Sequence, residues 1–151
     1  MDLALEEARR ALEHGDVPVG AVVVLDGKVI AARHNERELT GDPTAHAEML
    51  ALRDAATTTG SWRLEGATLY VTLEPCPMCA GACLNSRLER VVFGAPDPKA
   101  GATGSLYNLG ADPRLNHEFE VHQGPGADES SRLLTEFFRT RRRTSPHPPT
   151  R

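Results

Sequence analysis

No stretch of this sequence approaches the roughly 18 consecutive apolar residues that a membrane-crossing helix needs. Nor does the N-terminus, Met1-Asp2-Leu3-Ala4-Leu5-Glu6-Glu7, show the basic-then-apolar order of a secretory signal. These two absences lead to the expectation of a cytoplasmic protein with no membrane partner. Cysteine is scarce: Cys76, Cys79 and Cys83 cannot all pair within one chain, and the first two stand in a Cys-x-x-Cys, so they read as reduced thiols. Positive charge is not in excess either. A formal net charge of -4 argues weakly against a general phosphate-binding surface. No internal repeat or linker interrupts the chain, and 151 residues suit one core. We expect one folded domain over residues 1–144 and a disordered tail at 145–151, where Pro146, Pro148 and Pro149 crowd together.

Charge is unevenly spread. From Arg132 onward, Arg132, Arg139, Arg141, Arg142, Arg143 and Arg151 face the single acid Glu136, so the end of the chain is basic and the remainder more acidic than the mean. Taken alone, such a run is a solvated helix end whose arginines suit the negative pole of the helix dipole.

Apolar spacing at Leu3, Leu5, Ala8, Ala11 and Leu12 predicts an amphipathic helix, closed by Gly15 and Pro18, that covers a sheet. Residues 19–25 and 28–33 read as strands joined by an Asp26-Gly27 hairpin turn. Asp42-Pro43-Thr44 supplies helix-start chemistry before a helix over 45–56, which places His46 and Glu48 in its first turn. A buried strand at 67–73 is broken by Glu74-Pro75, and a helix over 76–86 follows, with Pro77 tolerated near its start. Further strands are expected at 90–95 and 119–122, and a last helix at 127–143 with Leu133, Leu134, Phe137 and Phe138 as its apolar stripe. Alternating strands and helices indicate a three-layer α/β/α sandwich with a mixed five-stranded sheet, hairpin first and parallel crossovers after.

Two clusters carry chemistry. His46-Ala47-Glu48 and Pro75-Cys76-Pro77-Met78-Cys79 together offer one imidazole, two thiols and one carboxylate. Cys76 and Cys79 are three apart at a helix start, so both sulfurs share a face near the positive helix pole, which favours thiolate. With His46 they make three ligands for a zinc ion, one per subunit, whose fourth position stays open for water. Glu48 is then free to move protons as the catalytic residue. Alone, a His-x-Glu is a chance pattern and a Cys-x-x-Cys is shared with redox motifs and zinc fingers; in this order, after Pro75, they form the known signature of zinc nucleobase deaminases. Cys83 lies four residues past Cys79 and could close the zinc shell as a fourth ligand. Its neighbours Ala80, Ala82 and Leu84 favour a small buried hydrophobe instead.

Beyond these clusters the chain resembles the bacterial tRNA adenosine deaminases over nearly its whole length. The likeness rests on Val17-Pro18-Val19-Gly20-Ala21-Val22, Asn35, Asp42-Pro43-Thr44-Ala45-His46-Ala47-Glu48, the run from Leu69 to Cys76, Met78-Cys79-Ala80-Gly81-Ala82, the run from Arg90 to Ala95, and Phe137-Phe138-Arg139. This resemblance implies the cytidine-deaminase-like fold, a homodimer, and hydrolytic conversion of adenosine to inosine at the wobble position of an arginine tRNA anticodon. It implies zinc on His46, Cys76 and Cys79, with Glu48 shuttling protons from water to ring N1 as C6 is attacked. It further implies nucleotide contacts from Asn35 and the Ala47 backbone N–H, a ribose contact from Asp97, a phosphate contact from Lys99, and anticodon stem-loop contacts from Phe138, Arg139, Arg141 and Arg142. A base in an anticodon loop is already unpaired, so its extrusion costs little.

Two departures bear on the RNA contacts. Residues 36–41 differ from the usual loop before the zinc helix, and Pro96 and Pro98 replace less rigid residues. Pro77 between the cysteines is also found in deaminases of free guanine, so a guanine or cytosine deaminase on the same fold is the rival enzyme. A non-catalytic RNA-binding module with zinc closed by Cys83 is the rival of another class.

Overall fold

The computed structural model describes residues 1–144. The tail expected at 145–151 lies outside the described residues. Along the chain run α1 (Asp2–Ala11), β1 (Gly20–Leu25), β2 (Lys28–His34), α2 (Arg37–Thr40), α3 (Ala47–Thr59), β3 (Thr68–Leu73), α4 (Pro77–Asn85), β4 (Arg90–Ala95), β5 (Glu120–Gln123) and α5 (Ala127–Thr144). A single 3-10 turn, Leu12–His14, extends α1 and ends at Gly15 in the left-handed region. The short α2 has no counterpart in the sequence expectation, because four residues offer no helical period to read.

The sheet order is β2-β1-β3-β4-β5. β1 pairs antiparallel with β2 and with β3, while β3, β4 and β5 run parallel. This is the mixed five-stranded sheet expected. Asp26 and Gly27 both take positive φ, 51° and 73°, the combination a two-residue hairpin turn requires. Helix α3 packs on β1 and β2 and touches α4, whereas α1 packs on β1, β2 and β3, α5 packs on β3 and β4, and the two meet through the Arg9–Glu129 ion pair. Leu69, Val71, Val23 and Val91 are fully buried between these layers.

Helix α1 approaches the sheet closely because the residues it turns inward are small. Ala4, Ala8 and Ala11 are completely buried, and a Cβ placed on Gly20 would overlap the Ala4 carbonyl oxygen. The N–H of Gly20 donates instead to Thr72 Oγ1 at 3.1 Å, and the Thr72 carbonyl accepts from Ser130 Oγ at 2.6 Å, which ties β1, β3 and α5 together. Gly20→Ala should therefore push α1 off the sheet and cost on the order of 1–3 kcal/mol or more, as overpacking does. Urea unfolding measures this, and an unchanged midpoint would show that α1 yields freely.

Parallel strands β3 and β4 end side by side, with Leu73 opposite Ala95. Chains leaving the carboxyl ends of parallel strands are where α/β sheets build sites. Here the segment leaving β3 is Glu74-Pro75-Cys76 and the one leaving β4 begins the loop 96–109.

Candidate metal centre

His46 is the N-cap of α3 and Cys76 the N-cap of α4. The sequence expectation placed His46 inside the first turn; it stands one position earlier, in extended conformation at φ -74° and ψ 149°. Neither side chain caps its own helix. Both are turned toward each other, and Cys79, three residues into α4, joins them because the N-cap and the third helical position lie adjacent at a helix start. Pro77 occupies the first helical position, where a missing N–H costs nothing.

The ligand atoms of His46, Cys76 and Cys79 all lie within 4.8 Å of one another. His46 Nδ1 is 3.6 Å from Cys76 Sγ and 3.5 Å from Cys79 Sγ. A tetrahedral zinc with Zn–S of about 2.3 Å and Zn–N of about 2.0–2.1 Å sets its nitrogen and sulfur ligands about 3.6 Å apart. The donor set therefore fits a zinc ion in both chemistry and spacing.

Electrostatics in this cluster are those of a thiol–thiolate pair. A hydrogen bond from Cys79, helped by His46, outweighs burial and lowers Cys76 to about 4, while Cys79, holding the shared proton and buried, is raised. The thiolate of Cys76 in turn raises His46. A metal taking this site displaces the remaining thiol proton.

Glu48 follows His46 by two residues and is 4% exposed. Burial pushes its carboxyl up to about 7, against the downward pull of its own backbone amide and of His46. A carboxyl poised near neutrality can take a proton and return it. It is outside the group of residues close enough to hold a metal.

Cys83 is also outside that group. It is fully buried in the core cluster with Ala51, Leu84 and Leu88, and burial raises its thiol. The sequence reading of Cys83 as a packed hydrophobe agrees with this placement. Cys83→Ala should keep metal content unchanged and cost on the order of 1 kcal/mol in stability. Metal analysis of the purified variant checks it, and loss of the metal would restore the closed-site reading.

Of the residues expected at the rim, two prove to be partners of each other. Asn35, 6% exposed, accepts the Ala47 N–H on Oδ1 at 2.8 Å and so caps α3 from outside the helix. The Ala47 N–H, expected to meet the base edge, donates here to Asn35, and Asn35 Nδ2 has no partner among the described residues. Asp97 is half-buried, and its Oδ1 accepts from the backbone N–H groups of Lys99 at 3.0 Å and Ala100 at 3.2 Å. Oδ2 is left for another donor. Lys99 is exposed.

The last turns of α5 stand beside α2. Arg141 reaches Glu38 Oε1 at 3.4 Å and lies 5.2 Å from the Phe137 ring, which meets Phe138 edge-on. Phe138, Arg139 and Arg142 are exposed, and Arg139 pairs loosely with Glu136 at 3.8 Å. The Asp16 carboxylate accepts the N–H groups of Glu38 and Leu39, and so fixes α2 between α5 and the start of α3.

Sequence reasoning missed Asp16 and, more consequentially, Glu74. Glu74 is 2% exposed and its carboxylate accepts from Asp97, Thr103 and Ser105. Burial opposes its charge, yet these hydrogen bonds prevail and hold it below the usual carboxylate range. The available signal was an acid at the end of an apolar strand followed by glycines at 101 and 104.

Residues 1–142 match the family model described as MafB19-like deaminase. The tRNA-specific adenosine deaminase of Bacillus subtilis (strain 168) is 54% identical over 143 residues, covering 95% of this chain and 89% of that protein. A structure solved in work on A-to-I editing by tRNA:A34 deaminases at the wobble position of transfer RNA superposes with a TM-score of 0.85 at 48% identity, covering 89% of this chain and 97% of that one. The guanine deaminase from Nitrosomonas europaea superposes with a TM-score of 0.74 at 27% identity, covering 90% and 81%.

Proposed function

This chain belongs to the MafB19-like deaminases and, among them, to the tRNA-specific adenosine deaminases, and from that premise we propose that it converts adenosine to inosine at the wobble position of an arginine tRNA anticodon. The observation that carries the chemistry is the spacing of His46, Cys76 and Cys79, which suits one tetrahedral ion and leaves the buried Glu48 outside the ligand set. We read that ion as zinc, one per subunit. Bound there, zinc would supply a Lewis acid that makes water acidic near neutral pH.

The chain's own residues do the rest. Glu48 takes a proton from the water that attacks C6 of adenine and delivers it to N1; a second transfer, to the amino group on C6, lets ammonia leave. Asn35 holds the start of α3, and with it His46 and Glu48, in place through the Ala47 amide, and its Nδ2 would donate to the nucleotide. Asp97 Oδ2 would accept from a ribose 2′-hydroxyl while Lys99 meets phosphate. The exposed Phe138, Arg139 and Arg142, with Arg141 anchored on Glu38, form an aromatic and basic face for the anticodon stem-loop. A homodimer working in the cytoplasm, where tRNA is found, completes the reading; no described helix is long and apolar enough to cross a membrane.

A free-guanine deaminase is the second reading, favoured by Pro77 and by the likeness to the guanine enzyme. It leaves the basic end of α5 without a role. Incubation of the purified, zinc-loaded protein with an arginine anticodon stem-loop, adenosine, guanine and cytosine in parallel should yield inosine in the RNA alone. Turnover of guanine with the RNA untouched would transfer the assignment to the rival.

A further inference from the structure

We infer that Glu74 is a positioning residue for RNA binding, whose buried carboxylate holds the loop 97–105 against the metal-bearing segment so that Asp97 and Lys99 stand at the mouth of the site. This rests on the reading above that RNA is the substrate. Glu74 closes β3, its N–H donating to the Ala95 carbonyl at 2.9 Å. Its Oε2 accepts from the Asp97 N–H at 2.9 Å and from Ser105 Oγ at 2.5 Å. Its Oε1 accepts from the Ser105 N–H at 2.9 Å, the Thr103 N–H at 3.3 Å and Thr103 Oγ1 at 3.5 Å. One residue on, the Pro75 carbonyl accepts the Ala102 N–H at 2.8 Å. The two residues preceding Cys76 thus bind the loop at 97, 102, 103 and 105.

Only a carboxylate satisfies this arrangement. Backbone N–H groups, which cannot reverse, face both oxygens, that of Asp97 on one side and those of Thr103 and Ser105 on the other. A glutamine amide, in either orientation, sets an NH2 against a fixed donor. Aspartate, one methylene shorter, cannot reach both sides. The loop is shaped to the same group: a Cβ on Gly101 would overlap the Glu74 carboxylate, and Gly104 takes a φ of 150°. No lysine, arginine or histidine pairs with Glu74 among the described residues, so its charge is spent on the loop and not on an ion pair.

The test is steady-state kinetics of Glu74→Gln on the anticodon stem-loop, with metal content, in wild-type and Asp97→Ala/Lys99→Ala backgrounds. KM should rise about tenfold or more while kcat stays within about threefold and metal is retained, as expected when hydrogen bonds that order a binding loop are lost. In the Asp97→Ala/Lys99→Ala background the same substitution should move KM by less than about threefold, because Glu74 acts through those two residues. An unchanged KM, a loss of metal, or effects that multiply independently would overturn the inference. Should Glu74→Gln fail to fold, Ser105→Ala removes one donor from the same carboxylate, with the same non-additive rise in KM expected and an unchanged KM counting against it. If the wild type makes no inosine in the stem-loop, the functional reading fails. Hydrogen exchange at the amides of 97, 103 and 105 then still decides for Glu74, with faster exchange in Glu74→Gln expected and unchanged exchange refuting it.

Discussion

Glu48→Gln should lower turnover by about 10²–10⁴-fold, the range that general acid–base catalysis contributes, while the protein keeps its metal. Glutamine matches the shape of Glu48 but cannot take a proton from water and return it to a purine ring. Because Glu48 lies outside the group that can hold an ion, the ligand atoms of His46, Cys76 and Cys79 are left untouched. The folded state should lose little, since a neutral amide is no harder to bury than a carboxyl that burial already pushes up to about 7. Single-turnover assays with saturating stem-loop, paired with elemental analysis, check the split. Metal loss in Glu48→Gln would place this residue among the ligands instead.

His46→Ala should have the other large effect, and of a different kind. With two thiols left and no imidazole, the site falls below the three protein ligands a catalytic zinc needs, so metal content should fall from about one per chain toward zero and activity with it. The metal would join the starts of α3 and α4, two helices that come from separate crossovers, so its loss should also lower the melting temperature. Adding zinc back in excess should restore little. Full retention of zinc by His46→Ala would point to a shell closed by Cys83, contrary to the burial of that thiol in the core.

What could be read from the sequence divides along a physical line. Periodicity and turn chemistry sufficed wherever they were local: the Asp26-Gly27 hairpin, the buried run into Leu73, and the span of α5 all lie where expected, although of the expected α5 stripe only Leu134 packs against the core and Phe138 is exposed. The strand expected at 119–122 is shifted by one, to Glu120–Gln123, because Phe119 is apolar for the core and not for the sheet. That His46, Cys76 and Cys79 gather into a group able to hold an ion was legible because residue type and spacing are themselves the chemistry. The placing of Asn35 against Ala47, by contrast, depends on two segments meeting in space, and no spacing records which donors a side chain will find. The same holds for Glu74, whose partners lie 23 to 31 residues further along the chain.

The wobble-adenosine assignment stands or falls on where inosine appears. Full-length arginine tRNA, incubated with zinc-loaded wild-type protein and then read by reverse transcription, should show the adenosine-to-inosine change at the wobble position and nowhere else in the molecule, and none with Glu48→Gln. An unaltered wobble adenosine with the metal site fully loaded, or inosine scattered through the tRNA, would contradict it.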